Sequence, residues 1–154
     1  MTTIAYHHES RRIAVDGRVT AGDLIASSAF EKWRIVGEEV WFLSGAVADF
    51  DRFIAYHQKE MSGFPEYSIS CSALVASGGA CYEAGVTKEG EPWRSIAPYS
   101  IAMGSGRDFA IGAMDHGKDA YGAVSYASNR DTGTGGKITV FDLSSMAFVS
   151  EDSN

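Results

Sequence analysis

The apolar positions of the chain fall first into short runs separated by turn chemistry. Thr3 to Tyr6 and Arg12 to Val15 flank a polar stretch, His7-His8-Glu9-Ser10-Arg11, and predict a hairpin that places Thr2 near Asp16. Residues 16–23 are turn-rich, since Asp-Gly and Ala-Gly-Asp both favour tight bends, and Leu24 to Lys32 is mixed. Trp33 to Val36 and Val40 to Leu43 flank Gly37-Glu38-Glu39 and predict a second hairpin. Ser44-Gly45-Ala46 ends that strand, and the period lengthens. Val47, Phe50 and Ile54 line one face of a predicted helix over 47–57, which Ser62-Gly63-Phe64-Pro65 stops. Tyr67 to Val75 and Ala80 to Ala84 read as strands joined by Ser77-Gly78-Gly79, and residues 87–92 as a polar loop. Ile101-Ala102-Met103 leads into Gly104-Ser105-Gly106. Residues 107–129 predict two helices broken near Gly117, the second carrying small or apolar residues at 120, 123, 124, 127 and 128. A loop over 129–136 precedes a final strand over 138–143, and the acidic tail after about 144 is expected to fray.

The order is strands, one helix, strands, two helices, strand. It predicts an α+β chain in which two sheets bury both faces by carrying helices outside them. With 154 residues, one domain over 1–154 is expected. The balance of 13 basic and 20 acidic residues, without a Lys/Arg run, predicts no nucleic-acid partner. No stretch reaches about 18 consecutive apolar residues, so no membrane span is expected, and the N-terminus lacks the pattern of a signal peptide. Cys71 and Cys81 are expected as reduced core residues of a cytoplasmic protein, since counting outward from the 77–79 turn does not place them face to face. His7 and His8 point to opposite faces of a strand and cannot chelate one ion together. His57 and His116 are isolated, so neither a metal nor a cofactor is expected.

Candidate chemistry begins at Met1-Thr2-Thr3-Ile4-Ala5. If Met1 is removed, Thr2 carries a nucleophilic hydroxyl and a free α-amine of pKa roughly 7.7–8.0, which can take its proton. Such a nucleophile needs a cation to favour the alkoxide and an oxyanion hole. Lys32 is a candidate cation and Asp16 a candidate partner for it. On type and spacing alone the commoner readings are a turn residue at Asp16, a solvated lysine at 32, a strand-to-helix turn at Gly104-Ser105-Gly106, and an Asx turn from Asp131 to Thr134.

Taken together, the segments resemble proteasome β-subunits and the HslV-type peptidases of bacterial ATP-dependent proteases, which are N-terminal-nucleophile hydrolases. Thr2-Thr3-Ile4 resembles their mature start. Asp16-Gly17-Arg18-Val19-Thr20-Ala21-Gly22 followed by Lys32 is similar to the catalytic Asp and Lys region. Ser44-Gly45-Ala46-Val47-Ala48-Asp49 resembles the oxyanion turn, Ile101 to Gly106 the segment of the catalytic-site serine, and Arg130-Asp131-Thr132-Gly133-Thr134-Gly135-Gly136 the late Arg-Asp-x-x-Ser-Gly-Gly motif. Each motif is weak singly; five in order over nearly the whole chain are specific.

The resemblance implies a four-layer αββα sandwich. It implies a threonine endopeptidase in which Thr2 attacks, its amine acts as base, and Asp16 holds Lys32. Ser105, Asp131 and Thr134 would orient the amine and its water, and the Gly45 N–H would receive the oxyanion. Thr20, Leu43 and Val47 would line the substrate groove, the last two forming an apolar pocket. It also implies a self-compartmentalising homo-oligomer acting on unfolded polypeptide, and admits an ATPase unfoldase as partner. The chain departs from the family in three places: a shorter first hairpin, Thr134 for the usual serine, and one helix rather than two between Gly45 and Tyr67. Two alternatives stand beside the peptidase: a non-catalytic scaffold subunit of the same fold, and a small-molecule amidase of the same superfamily.

Overall fold

The computed structural model describes residues 1–59 and 69–150. Period-two burial decides the architecture. In β1 (Thr3–His7) and β2 (Arg12–Val15), joined as an antiparallel hairpin, Ile4, Tyr6, Ile13 and Val15 point one way and Ala5 and Ala14 the other. β3 (Val19–Ala21) and β4 (Leu24–Ser27) form a separate two-stranded hairpin where the sequence suggested only turns and mixed character. β5 (Trp33–Val36) and β6 (Glu39–Gly45) form the expected second hairpin around Gly37-Glu38. A 3₁₀ turn over Val47–Asp49 leads into α1 (Phe50–His57). The predicted helix stop at 62–65 and the predicted strand start at Tyr67 lie outside the described residues.

β7 (Cys71–Ser77) and β8 (Ala80–Val86) pair around Gly78-Gly79, and β9 (Pro92–Ile96) adds an edge strand. β10 (Ile101–Gly104) pairs with β1, then come α2 (Arg107–Asp115) and α3 (Ala120–Ser128). β11 (Thr139–Asp142) pairs with β2 on one side and with β12 (Ala147–Val149) on the other. Two five-stranded antiparallel sheets result among the described residues, ordered β10-β1-β2-β11-β12 and β5-β6-β7-β8-β9.

Three apolar clusters hold these elements. Ile4, Ile13 and Phe141 of the first sheet meet Phe42 and Leu74 of the second. Ala5, Ala14 and Val140 pack against Ala110 of α2 and Val124 of α3. Trp41, Leu43 and Val75 pack against Phe50 and Phe53 of α1. Fully burying each of these phenylalanines stabilises the fold by about 1.5–3 kcal/mol. The chain is therefore an α+β fold of antiparallel sheets and helices. No helix among the described residues is long and apolar enough to cross a membrane.

Several element boundaries differ from the sequence reading. Val47 is exposed in the 3₁₀ turn, and Phe53 takes its place on the buried face of α1, because the helix proper starts only at Phe50. β7 starts at Cys71, with Ile69 and Ser70 outside it. The strand over 138–143 is not the last. The segment expected to fray supplies β12, whose Phe148 packs edge-on against Phe141 and Phe42 and against Trp33.

Candidate active site

β1 runs between β2 and β10, so its first residues lie between the end of β2 and the turn after β10. Thr2, directly before β1, is buried. Its carbonyl faces Gly104, where a Cβ would sit 1.9 Å from that oxygen and where φ is +94°. Only glycine lets β10 pass so close. The Gly106 N–H donates to the same carbonyl at 3.5 Å, and Ser105 Oγ lies at the same distance from it. The Thr2 hydroxyl donates to the Met1 carbonyl at 2.7 Å.

Asp16 follows β2 and is almost completely enclosed. Its Oδ1 accepts from Lys32 Nζ at 2.9 Å and from the Thr3 N–H at 3.0 Å. Its Oδ2 accepts from the Gly135 N–H at 2.9 Å and the Arg18 N–H at 3.3 Å. Lys32 precedes β5, and its carbonyl accepts from the Leu43 N–H, extending the β5–β6 ladder by one residue. Its side chain is 1% exposed, and Nζ also donates to the Met1 carbonyl at 3.2 Å. Burial pushes the Lys32 ammonium below the ordinary lysine range, and the Asp16 carboxylate only partly restores it. The end of the first hairpin and the segment before β5 thus bring Asp16 and Lys32 together against Thr3 and the Met1 carbonyl.

On the other side of Thr2, α3 ends and the chain turns through Asp131 to Thr134. The Asp131 N–H caps onto the Ala127 carbonyl at 2.8 Å. Asp131 Oδ2 accepts from the Ser105 hydroxyl at 2.5 Å and the Thr134 hydroxyl at 2.6 Å, while Oδ1 accepts from the Gly133 N–H at 3.3 Å. The Asx turn suggested by residue type is present, and the same carboxylate also collects two hydroxyls. Burial works against the charge on Asp131, but these hydrogen bonds and the nearby N-terminal ammonium outweigh it and hold the carboxyl below its usual range.

Gly45 ends β6 at φ +125°, and a Cβ there would lie 2.1 Å from the Ser70 carbonyl. Glycine is required both for the left-handed backbone and for the close approach. The adjoining Ala46 N–H donates to Ser70 O at 3.0 Å. A cleft of about 250 Å³ opens here, lined by Thr2, Arg18, Thr20, Lys32, Gly45 and Val47 among others. Leu43 does not line it. Strand alternation turns Leu43 to the α1 face, where it is fully buried beside Phe50 and Phe53, so it is removed from the groove and from any apolar pocket there. Two larger hollows, of about 450 and 550 Å³, lie at α2–α3 and beside Trp33 and Phe148; neither holds any of these residues. Converging titratable and hydroxyl groups, rather than volume, mark the Thr2 cleft.

Two residues that the sequence reading did not assign belong to this region. Arg18 straps the two loops together: its Nη1 donates to the Thr132 and Thr134 carbonyls at 3.2 and 3.3 Å, and its guanidinium lies where a Cβ on Gly135 would be. Its place in Asp-Gly-Arg, next to Asp16, was the available signal. Thr3 is fully buried, and its hydroxyl lies 2.6 Å from that of Thr134. Only the register Thr3↔Gly104 hinted at that side of the strand.

No family model matches the chain, and no curated protein matches it by sequence. Solved structures do match in shape. HslV from Trypanosoma brucei superposes with a TM-score of 0.66 at 22% identity, covering 90% of this chain and 97% of that one. Thiobacillus denitrificans BPH in complex with epoxomicin gives 0.66 at 19% identity, covering 91% and 97%. A second structure of T. denitrificans BPH gives 0.66 at 16% identity, covering 92% and 96%. Over about nine-tenths of its length, the chain has the fold of HslV and BPH.

Proposed function

We propose that this chain is a threonine endopeptidase of the N-terminal-nucleophile type. It is one domain built as a four-layer αββα sandwich, works as a ring or other closed homo-oligomer in the cytoplasm, and acts on unfolded polypeptide. The observation that carries this reading is a convergence. Lys32, held from behind by the buried Asp16, and the Gly45 corner line one cleft with Thr2, while Ser105, bound to Asp131 together with Thr134, lies 3.5 Å from the Thr2 carbonyl.

Removal of Met1 frees the Thr2 amine. It also removes the carbonyl that takes hydrogen bonds from Thr2 Oγ1 and Lys32 Nζ. The Lys32 ammonium, held by Asp16, then favours the alkoxide of Thr2. Thr2 Oγ attacks the peptide carbonyl carbon, and its proton passes through water to the α-amine. The Gly45 N–H receives the oxyanion. As the C–N bond breaks, the amine returns the proton to the departing nitrogen, leaving an ester on Thr2. Water then attacks the ester and restores the hydroxyl. Ser105, Asp131 and Thr134 orient the amine and its water. Thr20 and Val47 flank the extended substrate. An ATPase unfoldase would deliver that substrate.

Intact mass and hydrolysis of fluorogenic peptides test the reading together. The expected result is a mass lacking Met1, turnover by the wild type, and no turnover by Thr2→Ala in an unchanged oligomer seen by native mass. Retained Met1, or no hydrolysis with or without an ATPase partner, sinks it. One observation favours a second reading, a non-catalytic scaffold subunit. With Met1 in place its carbonyl accepts from both Lys32 Nζ and Thr2 Oγ1, and the Thr2 nitrogen is an amide that cannot serve as base.

A further inference from the structure

The Thr3 side chain is a buried hydroxyl beside the candidate nucleophile to which the mechanism above gives no task. It is 0% exposed and lies against Gly106, in the loop after β10, and Thr134. Its oxygen lies 2.6 Å from Thr134 Oγ1, which lies 2.6 Å from Asp131 Oδ2, which lies 2.5 Å from Ser105 Oγ. Four side chains from three distant segments thus form a single chain of short hydrogen bonds.

The direction of that chain follows from counting protons. A hydroxyl has one proton to donate. An ionised carboxylate has none, so Thr134 must spend its proton on Asp131 and Ser105 must spend its own there too. The Thr134 oxygen can then only accept from Thr3. Thr3 is the first donor and Asp131 the final acceptor.

Gly106 supports this independently. A Cβ at that position would fall 2.0 Å from Thr3 Oγ1 and 3.1 Å from Thr134 Oγ1, so the backbone there is cut away to fit this hydroxyl pair. The same residue is tied to the other acidic group, because the Thr3 N–H donates to Asp16 Oδ1 at 3.0 Å. One residue therefore touches both halves of the site, Asp16 through its amide and Asp131 through Thr134.

We infer that Thr3 is a positioning residue: its hydroxyl fixes the Thr134 rotor so that the Thr134 proton points at Asp131, holding the Ser105–Asp131–Thr134 group in the arrangement that orients the N-terminal amine. The catalytic consequence rests on the proposed peptidase reading; the hydrogen-bond chain does not. Removing the first donor leaves a buried acceptor unsatisfied and frees the Thr134 hydroxyl to rotate.

The test compares Thr3→Val, which keeps the shape and loses the donor, with Thr3→Ser, which keeps the donor. The Asp131 carboxyl is titrated directly by carbon-13 NMR in each protein, its resonance assigned with Asp131→Asn. In wild type and Thr3→Ser the midpoint is expected below the ordinary carboxylate range, and in Thr3→Val it moves up towards it. Peptide hydrolysis is expected to lose about tenfold in kcat, with KM unchanged, in Thr3→Val alone. If Thr3→Val does not fold, Thr3→Ala must show the same upward shift. An Asp131 midpoint that stays put without the hydroxyl overturns the inference, as does a Thr3→Ser protein that behaves like Thr3→Val. A wild type that titrates as expected but hydrolyses nothing overturns the peptidase reading and leaves the hydrogen-bond chain standing.

Discussion

Two carboxylates flank Thr2, and they are built in different ways. Asp16 is sealed. Three backbone N–H groups and the Lys32 ammonium use its acceptor sites, and neither it nor Lys32 meets solvent. Asp131 sits at the lip of the site, half-buried, and takes two hydroxyl protons and one amide proton. A carboxylate gripped by rigid backbone amides fixes a charge in place. A carboxylate reached by rotatable hydroxyls directs protons. Asp16 is therefore a structural counter-charge for a desolvated lysine, and Asp131 a carboxylate that sets the direction of two hydroxyl protons.

This contrast is broken most sharply by Asp16→Ala. It leaves Lys32 buried without its counter-charge and orphans the N–H groups of Thr3 and Gly135. Breaking a buried pair from one side costs about 3–5 kcal/mol. A large fall in the urea midpoint is expected, with hydrolysis lost. The double variant Asp16→Asn/Lys32→Met removes both charges and should recover much of that stability without recovering activity. If Asp16→Ala unfolds at the wild-type midpoint, the pair is not the keystone its burial implies.

Asp131→Asn should give the opposite balance. The amide can still accept from the Gly133 N–H, so the stability cost is about 1–2 kcal/mol. It can no longer accept from both hydroxyls, so kcat is expected to fall about a hundredfold. Equal losses of stability in the two carboxylate variants would erase the distinction between them.

How much of this was legible beforehand differs by residue. That Asp16 lies beside the start of β1, where it bonds Thr3, could be read because a hairpin with a polar turn fixes its own register, and β1 and β2 pair as that register requires. Lys32, Gly45, Ser105 and Asp131 were found through resemblance of their motifs, not through any local periodicity. Leu43 was misplaced because the groove is formed by the backbone bend at Gly45, while the strand before it keeps alternating and turns Leu43 under α1. β9 was missed because Trp93 to Ile96 are all exposed, and an edge strand held by backbone pairing has no burial pattern to show. Thr3 was missed because its partner Thr134 lies 131 residues away. Only a folded β1–β10 pair and the loop after α3 bring them together.

A subtler separation uses pH. The Asp131 carboxyl is held below its usual value in the folded state, so the unfolded chain binds its proton first as pH falls. Its contribution to stability is full above about pH 5, where the unfolded carboxyl (roughly 3.9) is ionised too, and is lost as pH drops through the lower folded value. The gap in denaturant midpoint between wild type and Asp131→Asn should therefore be constant near neutrality and narrow in acid. A gap that widens in acid would reverse the assigned sign.

The smallest expected effect concerns Thr134 itself. Threonine and serine offer the same hydroxyl, and both required contacts, to Asp131 and from Thr3, use only that oxygen. The methyl restricts χ1. Thr3 already fixes where the proton points, so the rotamer is set twice. Thr134→Ser should then change kcat by no more than about twofold, in keeping with the ±0.5 kcal/mol of a change that removes no needed contact. The same substitution placed in Thr3→Val should cost more than in the wild-type background, because the second restraint is then missing. Additive effects in that double variant would mean that the methyl and the Thr3 hydroxyl do separate jobs.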